Sequence, residues 1–232
     1  EFPRITVLRL PRNFGRTRAR NIGMRTAQAD LICFLDPYVE LSPNALHLLA
    51  SALESHPEAT AAAPSLSTPD GALIPSTFLL PTPAQLAETA FSATPLPAAP
   101  PVDATAQAVD EAVLLLRRGF VAGMNYLDEK RFSEYWSLLE VCWQIRNAGK
   151  KLLFLPDASA TLHPGRDRNS LDKSHIADRV AGAAAYIAKH SGLAAGISFR
   201  LKCFFSALGS FRLPLAFSFL LGQRIDPTQQ FT

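Results

Sequence analysis

Cysteine is scarce: Cys33, Cys142 and Cys203 stand far apart in 232 residues. Their odd number and the lack of a CxxC pair exclude a disulfide framework and a thiolate metal site as organising devices. Cys33, inside LICFL, reads as a small core residue, and a reducing, cytoplasmic compartment follows. The opening run EFPRITVLRL has no basic stretch leading into an apolar core and a small-residue cleavage site, so no secretory signal is expected. It also lacks a starting Met, which suggests a chain that begins partway through a longer reading frame. An unbroken apolar run of about 20 residues, the length a spanning helix needs, is missing too. The nearest approach, RLKCFFSALGSFRLPLAFSFLLGQR at 200–224, has Arg and Lys spaced through it and is interrupted by Arg212 and Pro214. Nor is any basic segment interleaved with aromatics, which argues against a nucleic-acid partner.

What is present fits a globular chain able to bury a core: 48% hydrophobic residues, 19% charged, and a net charge of +3. Arginine is scattered apart from RNFGRTRAR at 12–20, a cluster that suits either phosphates or a solvated loop. Residues 5–10, ITVLRL, read as a strand closed by Pro11. A helix is expected over about 17–28, and LICFLD reads as a strand covered on both faces. Strand, helix and strand with short connections predict a mostly parallel α/β sheet, whose ligands gather at the carboxyl ends of the strands. Ser42 and Pro43 then open a helix as N-cap and first residue, on which His47 and His56 read as surface residues.

Proline density from Pro75 to Pro101 predicts an extended, mobile loop. AVLLLRR at 112–118 and KLLFLPDA read as strands, and FSEYWSLLEVCWQIRNAG at 132–149 as an amphipathic helix ended by Gly149. Beyond His163 the sequence turns helical. Its last segment reads equally as a helix lying on a bilayer with basic residues at the headgroups or as one packed on the rest of the chain.

Six segments in order resemble family 2 glycosyltransferases of the GT-A fold, in particular the rhamnosyltransferase-like branch that builds bacterial surface polysaccharides. They are NFGRTRARNIG (13–23), ICFLDPYVELSPNAL (32–46), STPDGALIPS (67–76), LLRRGF (115–120), DEKRFSEYWSLLEVCWQIRNAG (128–149) and LPDASATLHPG (155–165). The resemblance, which covers about residues 5–165, implies a partial, Rossmann-like GT-A domain over 1–165, flanked by helices; residues 166–232 follow as a helical segment that the bilayer reading makes membrane-proximal. Within it ITVLRL resembles the third strand of the family's sheet, so the donor-binding half is cut short. Implied too are a donor of UDP or dTDP type, a glycan or lipid-linked acceptor, and a Mg²⁺ or Mn²⁺ ion that offsets charge on the leaving diphosphate. The membrane surface would be met through 199–224, at the inner face of the plasma membrane.

Residue by residue, Asp36 matches the first acid of the family's Asp-x-Asp turn and is the metal and donor candidate. Tyr38 replaces the last acid, and a neutral phenol is a poor ligand for a hard cation. Arg20, Asn21 and His163 match positions near the donor. The family's Glu-Asp pair, which carries the general base, aligns with Ser137 and Leu138. Glu140 matches a further acid after that pair. Glu134 precedes Leu138 by four residues and would share its helical face, which makes it the candidate for a displaced base. Two other readings stand beside sugar transfer: a GT-A scaffold that binds without transferring, and a peripheral membrane protein.

Overall fold

The computed structural model describes residues 5–92, 95–165 and 172–221. In chain order these form α1 (Arg16–Thr26), β1 (Leu31–Leu35), β2 (Val39–Leu41), α2 (Ala45–Ser55), β3 (Ala59–Ser67), β4 (Leu73–Ile74), β5 (Thr77–Phe78) and α3 (Pro83–Ser92). There follow β6 (Ala108–Val109), β7 (Val113–Arg117), α4 (Arg118–Gly123), α5 (Ser137–Asn147), β8 (Lys151–Leu162), α6 (Lys173–Ser191), α7 (Leu193–Gly209) and α8 (Leu213–Leu221). The main sheet runs β1-β7-β3-β8-β2, with β4 added to β3, and β5 pairs with β6 apart from it.

The α/β architecture and the carboxy-terminal helices are as expected, but the sheet is mixed. Only β3 and β8 run parallel, while β1 with β7, β3 with β7, β3 with β4 and β2 with β8 are antiparallel. The reason is the excursion between β3 and β7. It carries the chain back so that β7 enters opposite Leu35 at Val113 and leaves opposite Leu31 at Arg117.

Both faces of this sheet are covered, as the continuous apolar run of β7 requires. Leu114 and Leu116 join Leu138, Val141 and Ile145 of α5 on one side. Val113 and Leu115, one residue out of phase, join Leu49 and Leu53 of α2 on the other. A third core lies among the helices, where Leu86 of α3, Phe132, Ile176, Val180 and Ile187 of α6, and Phe199 and Phe219 pack together.

Three sequence expectations are corrected. Residues 5–10 form no strand, and Ile5, Val7 and Leu8 are exposed; β-branched residues make a strand only where a neighbouring edge supplies hydrogen bonds, and none of the described strands pairs with this run. The proline-rich stretch is not simply extended, because it contains α3. Thr82 and Gln85 form a reciprocal cap there: the Thr82 N–H donates to Gln85 Oε1 at 2.9 Å and the Gln85 N–H to Thr82 Oγ1 at 3.4 Å. Pro83 then sits at the first helical position, where a missing N–H costs nothing. Finally, the helix expected from 132 begins at Ser137. Trp136 just before it is left-handed (φ 72°), which breaks the helical path. A smaller shift moves the N-cap of α2 from Ser42 to Asn44.

Candidate functional site

The carboxyl end of β1 runs into a tight turn built by Asp36. Its N–H donates to the Ala112 carbonyl at 2.8 Å and its carbonyl accepts from the Val39 N–H at 3.0 Å. The side-chain Oδ1 accepts from the Tyr38 N–H at 3.0 Å, an Asx turn that short acidic side chains favour. The Tyr38 carbonyl in turn accepts the His163 N–H at 2.8 Å. The backbone of one residue, Tyr38, thus joins Asp36 to His163, two residues 127 positions apart. Across the same edge His163 Nε2 lies 2.9 Å from Glu40 Oε2, with both side chains well exposed. The Tyr38 ring lies against Gly165, where an added Cβ would fall 2.1 Å from Tyr38 Cδ1. A glycine is required there by space.

On the other flank stands α1. Gly15 precedes it at φ 83°, and a Cβ there would meet Ser133 Oγ at 2.6 Å. The Thr17 N–H donates to the Ser133 carbonyl at 2.9 Å, so the start of α1 is seated on the 132–136 loop. Arg16 and Arg20, four residues apart, share one helical face. Glu111 reaches both, Oε1 to Arg16 Nη1 at 3.0 Å and Oε2 to Arg20 Nη1 at 3.3 Å. Glu134 pairs with Arg16 Nε at 3.2 Å and accepts its backbone N–H at 3.1 Å. Burial alone would depress the Arg16 guanidinium, but Glu111, Glu134 and Asp36 outweigh it and raise its pKa. Arg20 shifts the other way: burial and the neighbouring Arg16 charge lower it, and Glu111 opposes. Arg16 therefore belongs to the same electrostatic neighbourhood as Asp36.

The candidates separate into two groups. Asp36, Arg20, Glu134 and His163 gather around this strand end. Glu134 lies in the loop before α5, not on its helix, and is held as the acid that ties α1 to that loop. Its own N–H donates to Asp178 Oδ2 of α6 at 3.0 Å. Asn21 and Glu140 line a separate cleft of about 500 Å³ with Arg25, Gln144 and Lys189. Asn21 is buried and bonds the Leu127 backbone through both ends of its amide, at 2.9 and 3.0 Å. Glu140 is 1% exposed; its oxygens meet Gln144 Nε2 at 2.7 Å, Lys189 Nζ at 2.7 Å and His190 Nε2 at 2.6 Å. Leu138, at the position aligned with the base, points into the core under the sheet.

Sequence reasoning missed Arg16 and Glu111. Two signals were available. Arg16 and Arg20 fall at i and i+4 in RNFGRTRAR, and the acid pair DE at 110–111 stands immediately before a fully apolar strand.

Among the described residues, Asp36 and its neighbours do not complete a divalent-cation site. Among the described residues no group of three or more His, Cys, Asp or Glu side chains converges as a metal would need. Asp36 already uses one oxygen in its turn, and the nearest exposed acid, Glu40, is paired with His163.

The fold is that of the GT-A glycosyltransferases. A crystal structure of GalNAc-T7 with UDP, GalNAc and Mn²⁺ superposes with a TM-score of 0.51 at 16% identity, over 81% of this chain and 39% of that one. A mannosyltransferase, PcManGT from Pyrobaculum calidifontis, in complex with GDP-Man and Mn²⁺, gives 0.45 at 12% identity, over 90% of this chain and 59% of that one. The chain thus spans less than two thirds of either protein. By sequence, residues 1–75 match the family described as Glycosyl transferase family 2; that stretch holds α1, β1 and the Asp36 turn. No curated protein matches the chain.

Proposed function

We propose that this chain binds a nucleotide-sugar donor at the carboxyl end of β1 and acts as a glycosyltransferase of the family 2 kind, passing the sugar to a glycan or lipid-linked acceptor. One observation carries the reading. Asp36, joined through the Tyr38 backbone to His163 and flanked by the Arg16–Glu111–Arg20 group, lies at the strand end of a GT-A sheet, and Asp36 itself falls within the stretch that matches that family. Strand ends of this kind are where open α/β sheets bind ligands. UDP and GalNAc, the two parts of a nucleotide sugar, are present in the similar structure of GalNAc-T7, which supports a donor of this class.

In transfer, the acceptor oxygen bonds to the anomeric carbon as the bond from that carbon to the diphosphate breaks. The electron pair leaves on the diphosphate and the acceptor proton goes to a base. Negative charge therefore accumulates on the diphosphate, and the groups of opposite sign at this strand end are Arg16 and Arg20. Asp36 is placed for donor hydroxyls. Of the two candidate acids, Glu134, the displaced base, pairs with Arg16 beside the Asp36 strand end, whereas Glu140 pairs with Lys189 and His190 of α6.

A second reading is a GT-A module that binds donor or glycan without transferring. It is favoured by Leu138, an apolar core residue at the position aligned with the base. Isothermal titration of the folded chain with UDP, dTDP and GDP, with Mn²⁺ and then with EDTA, tests the shared premise. The expected result is saturable binding that Asp36→Asn weakens at least about tenfold at an unchanged melting temperature. No heat from any of the three nucleotides would overturn the first reading and confine the second to glycan binding. Binding without donor hydrolysis or transfer would select the second.

A further inference from the structure

Helix α7 has three faces. Gly196, Phe199, Cys203 and Ala207 are buried against the helical core. Leu193, Ile197, Leu201, Phe205 and Leu208, at spacings of three and four, are exposed. Ser198, Lys202 and Ser206 recur at four-residue spacing beside that apolar strip and are exposed as well. The solvent side of the helix is thus itself divided into an apolar and a polar half. Helix α8 continues the pattern, burying Leu215, Ala216, Ser218 and Phe219 and exposing Leu213, Phe217, Leu220 and Leu221.

Between the helices, Phe211 is 91% exposed in a left-handed conformation (φ 57°), a place that glycine ordinarily fills. The turn is a defined one, since the Phe211 N–H bonds the Leu208 carbonyl at 3.0 Å and the Arg212 N–H the Ala207 carbonyl at 2.9 Å. Arg200 fixes the two helices to each other by donating to the Phe219 carbonyl and, at 3.0 Å, to the Leu220 carbonyl. The apolar side chains are therefore held outward on a pinned hairpin.

The charges identify the occupant. From 193 to 221 the sequence contains Arg200, Lys202 and Arg212 and not one Asp or Glu. A second copy docked by twofold symmetry through this hairpin would bring cations against cations with no carboxylate of the hairpin between them. A phospholipid surface supplies phosphates at the level of the Lys and Arg heads and hydrocarbon at the level of the Phe and Leu side chains. No described helix is long and apolar enough to cross a bilayer. We propose that the α7–α8 hairpin lies on the surface of an anionic phospholipid bilayer, its exposed Leu, Ile and Phe side chains below the headgroups and Lys202 among them. The proposal does not depend on sugar transfer. The segment 199–224 named from sequence includes 222–224, which lie outside the described residues.

The test is co-sedimentation of the full chain with vesicles of phosphatidylcholine alone and of phosphatidylcholine mixed with phosphatidylglycerol. Binding to the mixed vesicles is expected, weakened by salt and much weaker without the anionic lipid. Removing two exposed rings in Phe205→Ser/Phe211→Ser should weaken it about a hundredfold, roughly tenfold for each ring, at an unchanged melting temperature. Lys202→Glu should reduce the preference for anionic vesicles several-fold. No sedimentation with either vesicle, or binding that both variants leave intact, would overturn the proposal. So would a wild-type dimer that the double Phe variant converts to monomer, which would assign the face to a second copy.

Discussion

Glu140→Gln separates a structural carboxylate from a catalytic one. Glu140 is 1% exposed and joins α5 to α6 through Lys189 at 2.7 Å and His190 at 2.6 Å. Removing one member of a buried pair costs about 3–5 kcal/mol, because the remaining charge is left without its partner. Lys189 softens the loss: its side chain is 29% exposed and Asp128 lies 3.7 Å away. The expected cost is therefore about 2–3 kcal/mol, just below that range. For a chain of this size each kcal/mol moves the midpoint about 2–4 °C, so the variant should melt about 5–10 °C lower. Circular dichroism melts and urea titrations of wild type and variant give the number. Adding Lys189→Met should recover part of it, because the orphaned cation is then gone. A variant within about 0.5 kcal/mol of wild type would refute the argument that Glu140 holds α5 to α6.

The remaining predictions concern the core. Leu138→Asp, the change that would restore an acid at the position aligned with the family's base, should abolish cooperative melting, since it places a carboxylate among Val141, Ile145 and Leu116 at a cost of at least about 3 kcal/mol; a cooperative melt near the wild-type midpoint would refute this. Burial pushes the Cys142 thiol up to about 11 from 9.0. A raised pKa means the folded state holds the proton more tightly, so stability is complete below about pH 9 and falls as pH rises from 9 through 11. Burial raises Cys33 and Cys203 to about 11 as well. All three thiols should resist a thiol reagent at pH 8 until guanidinium unfolds the chain, and rapid native-state labelling of Cys142 would contradict its burial.

Periodic segments were legible in the sequence. The apolar rows of α2, α5 and β7 fixed their faces, because burial imposes a repeat that any ordered chain must carry. The strand at 5–10 was not, because strand formation depends on a partner edge that its own residues do not encode. The start of α5 was hidden for another reason: Trp136 adopts a positive φ without a Gly or Asn to announce it. Helix α3 was overlooked beneath dense proline although Thr82 and Gln85 spelled out its cap. At the site, the nearness of Asp36 and His163 followed from the resemblance to family 2. The tie from Glu111 to Arg16 did not, because it depends on β7 returning antiparallel to β1.

The seat of α1 rests on residues made much later. Glu134, which accepts the Arg16 N–H, has its own backbone held by Asp178, and its neighbours Tyr135 and Trp136 bond His175 and Arg179 of α6. During synthesis, the Asp36 turn is complete as sequence some 140 residues before α6 emerges. The strand end must wait in the nascent chain for its support until α6 has been made.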